Sequence, residues 1–174
     1  MSDPATIDFS LLVLRGIVGV VFLAHGYNHV WGGGKIAGTA RWFDSLGMRP
    51  GLVHAWVASM TELGVGALLL AGLLIPLAAA GVVGVMVVAL VTNHLRNGFF
   101  IFRPGEGYEY VLTLILVAVA LGGLGAGSWS LDAALDIDFS GWTGLLVAVI
   151  CGGGGAAVLL ALCWRPARIP VTAP

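Results

Sequence analysis

Charge is what this chain has least of. Asp, Glu, Lys and Arg together make up 10% of its 174 residues, where a soluble domain carries roughly a quarter. So little charge excludes an ordinary water-facing surface. The formal net charge of −1 leaves no basic field for nucleic acid. Cysteine is nearly absent too. Cys151 and Cys163 lie in one apolar run; on a helix they stand about 18 Å apart at ~1.5 Å per residue, too far to bridge. That excludes a disulfide scaffold and a thiol redox motif. No cofactor fingerprint occurs. His25 and His29 form the one i, i+4 histidine pair, with no carboxylate motif opposite, so no metal centre is expected.

What is present is apolar sequence. Hydrophobic residues make up 59% of the chain and the mean hydropathy is +0.99. The runs separate into five segments near the ~20 residues that cross a bilayer: about Phe9–Trp31, Leu52–Leu74, Leu77–Asn97, Tyr108–Leu124 and Trp142–Trp164. The first is too long for a signal peptide and has no basic segment before it, so it reads as an uncleaved span. The fold class is all-α transmembrane, one helical bundle. Between the first two spans, Thr39, Trp42, Phe43 and Leu46 follow i, i+3, i+4, i+7 spacing. That predicts a short amphipathic helix in the headgroup layer.

Orientation follows from the cations. Lys35, Arg41, Arg49, Arg96, Arg103, Arg165 and Arg168 all fall on one side, while the opposite loops carry Asp132, Asp136 and Asp138. The N-terminus is expected outside and the C-terminus in the cytoplasm. Trp31, Trp42, Trp56 and Trp164 fit an inner aromatic belt, Trp129 and Trp142 an outer one. Arg15, two turns inside the first span, either snorkels outward, the favoured reading, or pairs with an acid of loop four or of a partner.

Charge inside a membrane costs at least ~2.5–3.5 kcal/mol and so needs a partner or a purpose. Glu62 lies about 15 Å into the second span, with Ser59 and Gly66 on its face. It is either a proton-handling or ligand-binding carboxylate, or a protonated side chain that fixes packing. His25 and Asn28 share a face of the first span. Asn93 and His94 close the third and Glu109 opens the fourth. Together these six make a series graded in depth, as a proton path, a polar head-group pocket or a purely structural hydrogen-bonded cluster would need. His29 and His54 read as interfacial. His25 and His94 are the pair a haem would need, but bundle histidines beside an acid are more often simple hydrogen-bonding groups, and haem is disfavoured. In the fifth span, Gly152/Ala156 and Gly153/Ala157 are small-xxx-small pairs, a packing face for the chain's own bundle or another subunit.

Four stretches carry a resemblance: FLAHGYNHVWG at Phe22–Gly32, the Glu62-Leu63-Gly64 start of a leucine-rich run ending at Pro76, NGFF…GYEYVL at Asn97–Leu112, and SWSLD at Ser128–Asp132. Together they resemble the DoxX family over about residues 10–135. The resemblance implies a four-helix membrane domain over residues 1–135; the family usually ends there, and this chain departs from it by adding a transmembrane helix and short cytoplasmic tail over 136–174. It implies a bacterial plasma membrane, and a kinship with a small subunit of a quinone-reducing thiosulfate oxidoreductase and with proteins found beside oxidative-stress enzymes. Where the family usually has a Lys four residues after the first-helix His, this chain has His29.

Two functions follow. The favoured one is an accessory subunit of a larger membrane redox complex, contacting lipid and other subunits. The alternative is a quinone-binding oxidoreductase subunit that uses the His/Glu cluster. A transporter is disfavoured, since glycine and proline breaks do not recur in two halves.

Overall fold

The computed structural model describes residues 3–166. Among them the chain is helical, with no β-strand. The elements are α1 (Pro4–Trp31), α2 (Lys35–Ser45), α3 (Gly51–Ala71), α4 (Ile75–Asn97), α5 (Glu109–Leu124), α6 (Leu131–Ala134) and α7 (Gly141–Cys163). Helices α1, α3, α4 and α7 are long and apolar enough to cross a membrane. The apolar α5 has 16 residues, about 24 Å of helix, and lies along α4 and α7. The protein is an all-α membrane protein, as its composition requires. Arg168, counted above among the cations of one side, lies outside the described residues.

The helix ends follow local chemistry. Helix α1 starts at Pro4, earlier than its apolar run, because the Asp3 carboxylate accepts the Ala5 N–H at 3.2 Å and proline suits a first helical position. Helix α3 stops at Ala71, where Gly72 takes a left-handed φ of +67°. After Leu74, also left-handed at +50°, α4 begins at once with Ile75 and Pro76.

This turn corrects the reading of Arg15. The side chain does not snorkel; it is among the fully buried residues. Its guanidinium donates to the carbonyls of Leu69 at 2.8 Å and Leu70 at 2.7 Å, and to Trp129 O. Leu69 and Leu70 close the α3 C-terminus, where carbonyls run short of donors and the helix dipole favours a cation. Asp132, also buried, accepts the N–H of Leu74 at 2.8 Å and of Ile75 at 3.3 Å.

Close packing depends on glycine at two crossings. A Cβ on Gly19 of α1 would lie 2.9 Å from the Gly66 carbonyl oxygen of α3, so the two backbones touch. A Cβ on Gly152 of α7 would lie 2.5 Å from Ala80 O of α4. Helix α4 is central, packed by α3, α5 and α7. The core joins Leu11, Phe22, Leu69, Ile75, Val82 and Leu121 among others. Ile17, Val20, Leu116, Ile150 and Leu162 are exposed, and an apolar exterior of this kind faces lipid.

The four glycines 152–155 do not break α7. It widens into a π-helical turn over Ala148–Gly153 and continues to Cys163. A second π-helical turn, Leu90–His94, ends α4; such turns recur at functional sites. Helix α2 is longer than the spacing predicted, starting at Lys35. It lays Ala40 and Phe43 over α3, where they join Met48, Ala55 and Leu159 in a second apolar cluster. The Asp44 carboxylate accepts the Gly51 N–H at 2.8 Å and ties α2 to the start of α3. Trp164 Nε1 donates to Leu46 O at 3.0 Å, joining the end of α7 to the α2–α3 connection.

Candidate functional site

Over the half of the bundle that α2 covers, the helices part around a cavity of about 750 Å³. Ligand pockets run from about 300 to 1,000 Å³. Its walls come from α1, α2, α3, α4, the first turns of α5, and α7. Most of the wall is apolar, with Phe22, Val57, Val85, Val88 and Leu159 among its members.

The polar centre is a pair. Glu62 of α3 is 4% exposed, and its Oε2 lies 3.0 Å from Nδ1 of His29 on α1. The atoms are in contact without the alignment of a hydrogen bond, so each is buried and without a hydrogen-bond partner. A buried polar atom left in that state costs about 1–3 kcal/mol. Both groups line the cavity and so can turn to a ligand or a water within it. Ser59, on the Glu62 face, is already satisfied, its hydroxyl donating to Ala55 O at 2.7 Å.

His54 adds a second such atom. Its ring lies against Phe43, centroids 6.3 Å apart, and Nε2 is buried with no partner. Both His29 and His54 lie within a turn of a helix end but beneath α2, His54 buried and His29 half-buried. The cause is α2, which covers that end of the bundle. Thr39 of α2 donates its hydroxyl to His29 O at 2.9 Å, and Phe43 covers His54. From α1 and α3 alone these residues sit a turn from a helix end; the covering helix shields them. Only the His25/His29 spacing hinted at the first.

Of the six polar residues singled out from sequence, His25, Asn28, Glu62, Asn93 and His94 line this cavity. His25 and Asn28 are exposed and mark its margin on α1. His94 closes one end, with Nδ1 at 3.0 Å from Glu106 O and Nε2 at 3.3 Å from Asn93 Nδ2. Glu109 does not line the cavity. Its carboxylate accepts the Ile101 N–H at 2.9 Å and holds the α4–α5 loop. Asn97 works on the same loop, donating from Nδ2 to Asn93 O and Glu106 O at 3.1 Å and Gly105 O at 2.5 Å. The series graded in depth is thus a cavity lining for five residues and a loop brace for the sixth.

The small residues of α7 divide as well. Gly152 and Ala156 are buried against α4 and line the cavity. Gly153 has open space beyond its Cβ position, and Ala157 is exposed. Among the described residues no three His, Cys, Asp or Glu side chains converge as a metal set.

Residues 10–95 match the family model DoxX. The match takes in α1 to α4, and with them the His29–Glu62 pair, Asn93 and His94. Neither the search of curated proteins nor that of solved structures found a match. Over residues 10–95 the chain thus carries a DoxX domain match, consistent with a DoxX family protein.

Proposed function

We propose that this multi-pass membrane protein binds the head group of a quinone in the cavity between α1, α3 and α4, as a small subunit of a membrane redox complex. One observation supports this above the others: Glu62 is buried and His29 half-buried, their facing Oε2 and Nδ1 make no aligned hydrogen bond, and both line an apolar cavity of about 750 Å³. A quinone ring needs hydrogen-bond donors at its carbonyl oxygens and an apolar wall against its faces. A histidine N–H or a protonated carboxyl can donate here, and Phe22 and Val85 are of the type that packs on a ring.

The test is titration of the purified protein in detergent with a benzoquinone, read by quenching of tryptophan fluorescence. Trp42 lines the cavity. Glu62→Gln and His29→Phe are expected to weaken binding about tenfold or more, the ~1.4 kcal/mol of one charge-assisted hydrogen bond. Unchanged affinity in both variants, or no binding by the wild type, overturns the reading.

The favoured expectation from sequence, an accessory subunit of a larger membrane redox complex, keeps one supporting observation. Gly153, Gly154 and Gly155 have open space where a Cβ would stand, so this face of α7 is not used by the chain's own packing. Purification in mild detergent, with identification of what co-migrates at fixed stoichiometry, separates the two. A redox complex that retains the protein after Glu62→Gln supports the accessory role. In either case we propose the N-terminus outside and the end of α4 at the cytoplasmic face of a bacterial plasma membrane. Arg41, Arg49, Arg96 and Arg103 gather at that end.

A further inference from the structure

The cavity meets the outside of the bundle in several places, and two of these openings differ in chemistry. A residue that lines the cavity and is also exposed marks an opening. His25, Asn28 and Tyr110 do so between α1 and α5, and this mouth is polar. Val57, Cys151 and Gly155 do so between α3 and α7, and this mouth is apolar and built of small groups. Helices α3 and α7 both pack on α4, with no extended packing between them. The floor between them is the α4 row Ala80, Gly84 and Val88, all cavity-lining and spanning about 12 Å.

We propose that the groove between α3 and α7 takes the apolar tail of the same lipid-soluble ligand whose polar head lies at the His29–Glu62 pair. This rests on the quinone reading and deepens it, because it assigns the ligand a chain and a direction. Two independent features point to an occupant of this one continuous space. Its deep part ends on two buried polar atoms without a hydrogen bond, Glu62 Oε2, which touches His29 Nδ1 at 3.0 Å, and His54 Nε2. Its outer part is walled by glycine where a side chain would fit: beyond Gly155 nothing lies within 4 Å of a Cβ position. A helix that needed only to pack would fill that space. A groove of small residues keeps a narrow, smooth path for a methylene or isoprenoid chain. The polar mouth at His25 and Asn28 is unsuited to a tail and open to water or protons.

The experiment uses the full-length protein in detergent and two probes with one ring, a benzoquinone carrying a decyl tail and the same ring carrying a methyl group. Gly155→Leu fills the groove and is expected to weaken the tailed probe about tenfold while leaving the methyl probe within about twofold. Gly154→Leu, on the same glycine run but outside the cavity lining, is expected to change neither. Cys151→Phe obstructs the groove one turn away and repeats the test should Gly155→Leu not fold. Equal weakening of both probes, or of neither, overturns the groove and leaves the head-group site standing. Failure of the wild type to bind the methyl probe overturns the head-group site, and the groove with it.

Discussion

Arg15 and Asp132 hold opposite sides of one tight turn. The guanidinium takes the last carbonyls of α3, at Leu69 and Leu70. The carboxylate takes the first N–H groups of α4, at Leu74 and Ile75. Each charge satisfies a helix end of the sign it suits, and the turn needs no solvent.

Removal of either side is therefore expected to be costly. Arg15→Met leaves Leu70 O and Trp129 O without their donor, Leu69 O with the Gly72 N–H alone, and Asp132 without its nearby cation. A loss of about 3–5 kcal/mol is expected, seen as a lower unfolding midpoint in detergent. Arg15→Lys is expected to recover little of it, since one ammonium cannot span Leu69, Leu70 and Trp129 as a planar fork does. A Lys variant as stable as the wild type would refute this account of the turn.

The cavity pair predicts the reverse. Glu62 Oε2 and His29 Nδ1 are buried without hydrogen-bond partners, so they do not serve stability well. The double variant Glu62→Leu, His29→Leu is expected to unfold at the same midpoint as the wild type or above it, and to lose quinone binding. Apolar replacement of a buried polar pair is commonly neutral or stabilising. A midpoint several degrees lower would mean that the pair is a structural cross-link between α1 and α3.

The two glycine neighbours in α7 should separate cleanly. Gly152→Leu drives its Cβ into Ala80 O, 2.5 Å away, and is expected to unseat α7 from α4. Gly153→Leu meets open space and is expected to leave the fold as it is. Cross-linking between cysteines placed on α4 and α7 should fall in the first variant alone. If both fall, α7 tolerates no bulk on any face.

The α4–α5 loop gives a local prediction. Asn97 holds Asn93, Gly105 and Glu106 from one amide nitrogen, and Glu109 holds Ile101. Asn97→Ala is expected to raise hydrogen exchange across residues 98–107 by about tenfold or more, with α4 and α5 unchanged. Exchange that stays at the wild-type rate would place the loop's order elsewhere.

Architecture was largely legible in the sequence, because apolar length and the position of Glu62 are local properties. A long run between Leu52 and Leu74 is a helix whatever its neighbours do, and an acid within it turns inward. What was not legible depends on segments far apart in the chain. His29 and His54 are covered by α2, whose direction over the bundle no spacing rule specifies. Arg15 finds carbonyls 54 and 114 residues away. Glu109 had the residue type and depth of a site member, but it braces a loop because the Ile101 N–H lies beside it. The fifth helix was recognised, yet which of its glycines face inward depends on its rotation on α4.

The Asp132 contact has a consequence for biogenesis. The α3–α4 hairpin leaves the ribosome with Leu74 and Ile75 unpaired, and the carboxylate that accepts their N–H groups is synthesised 58 residues after Leu74. Trp129, which shares Arg15 with α3, arrives 114 residues after that arginine. Until then the hairpin must keep its turn where water or the insertion machinery can solvate it. The step that completes this end of the bundle is thus set by translation, and a chain cut before Asp132 should be a poorer substrate for stable insertion than one cut just after it.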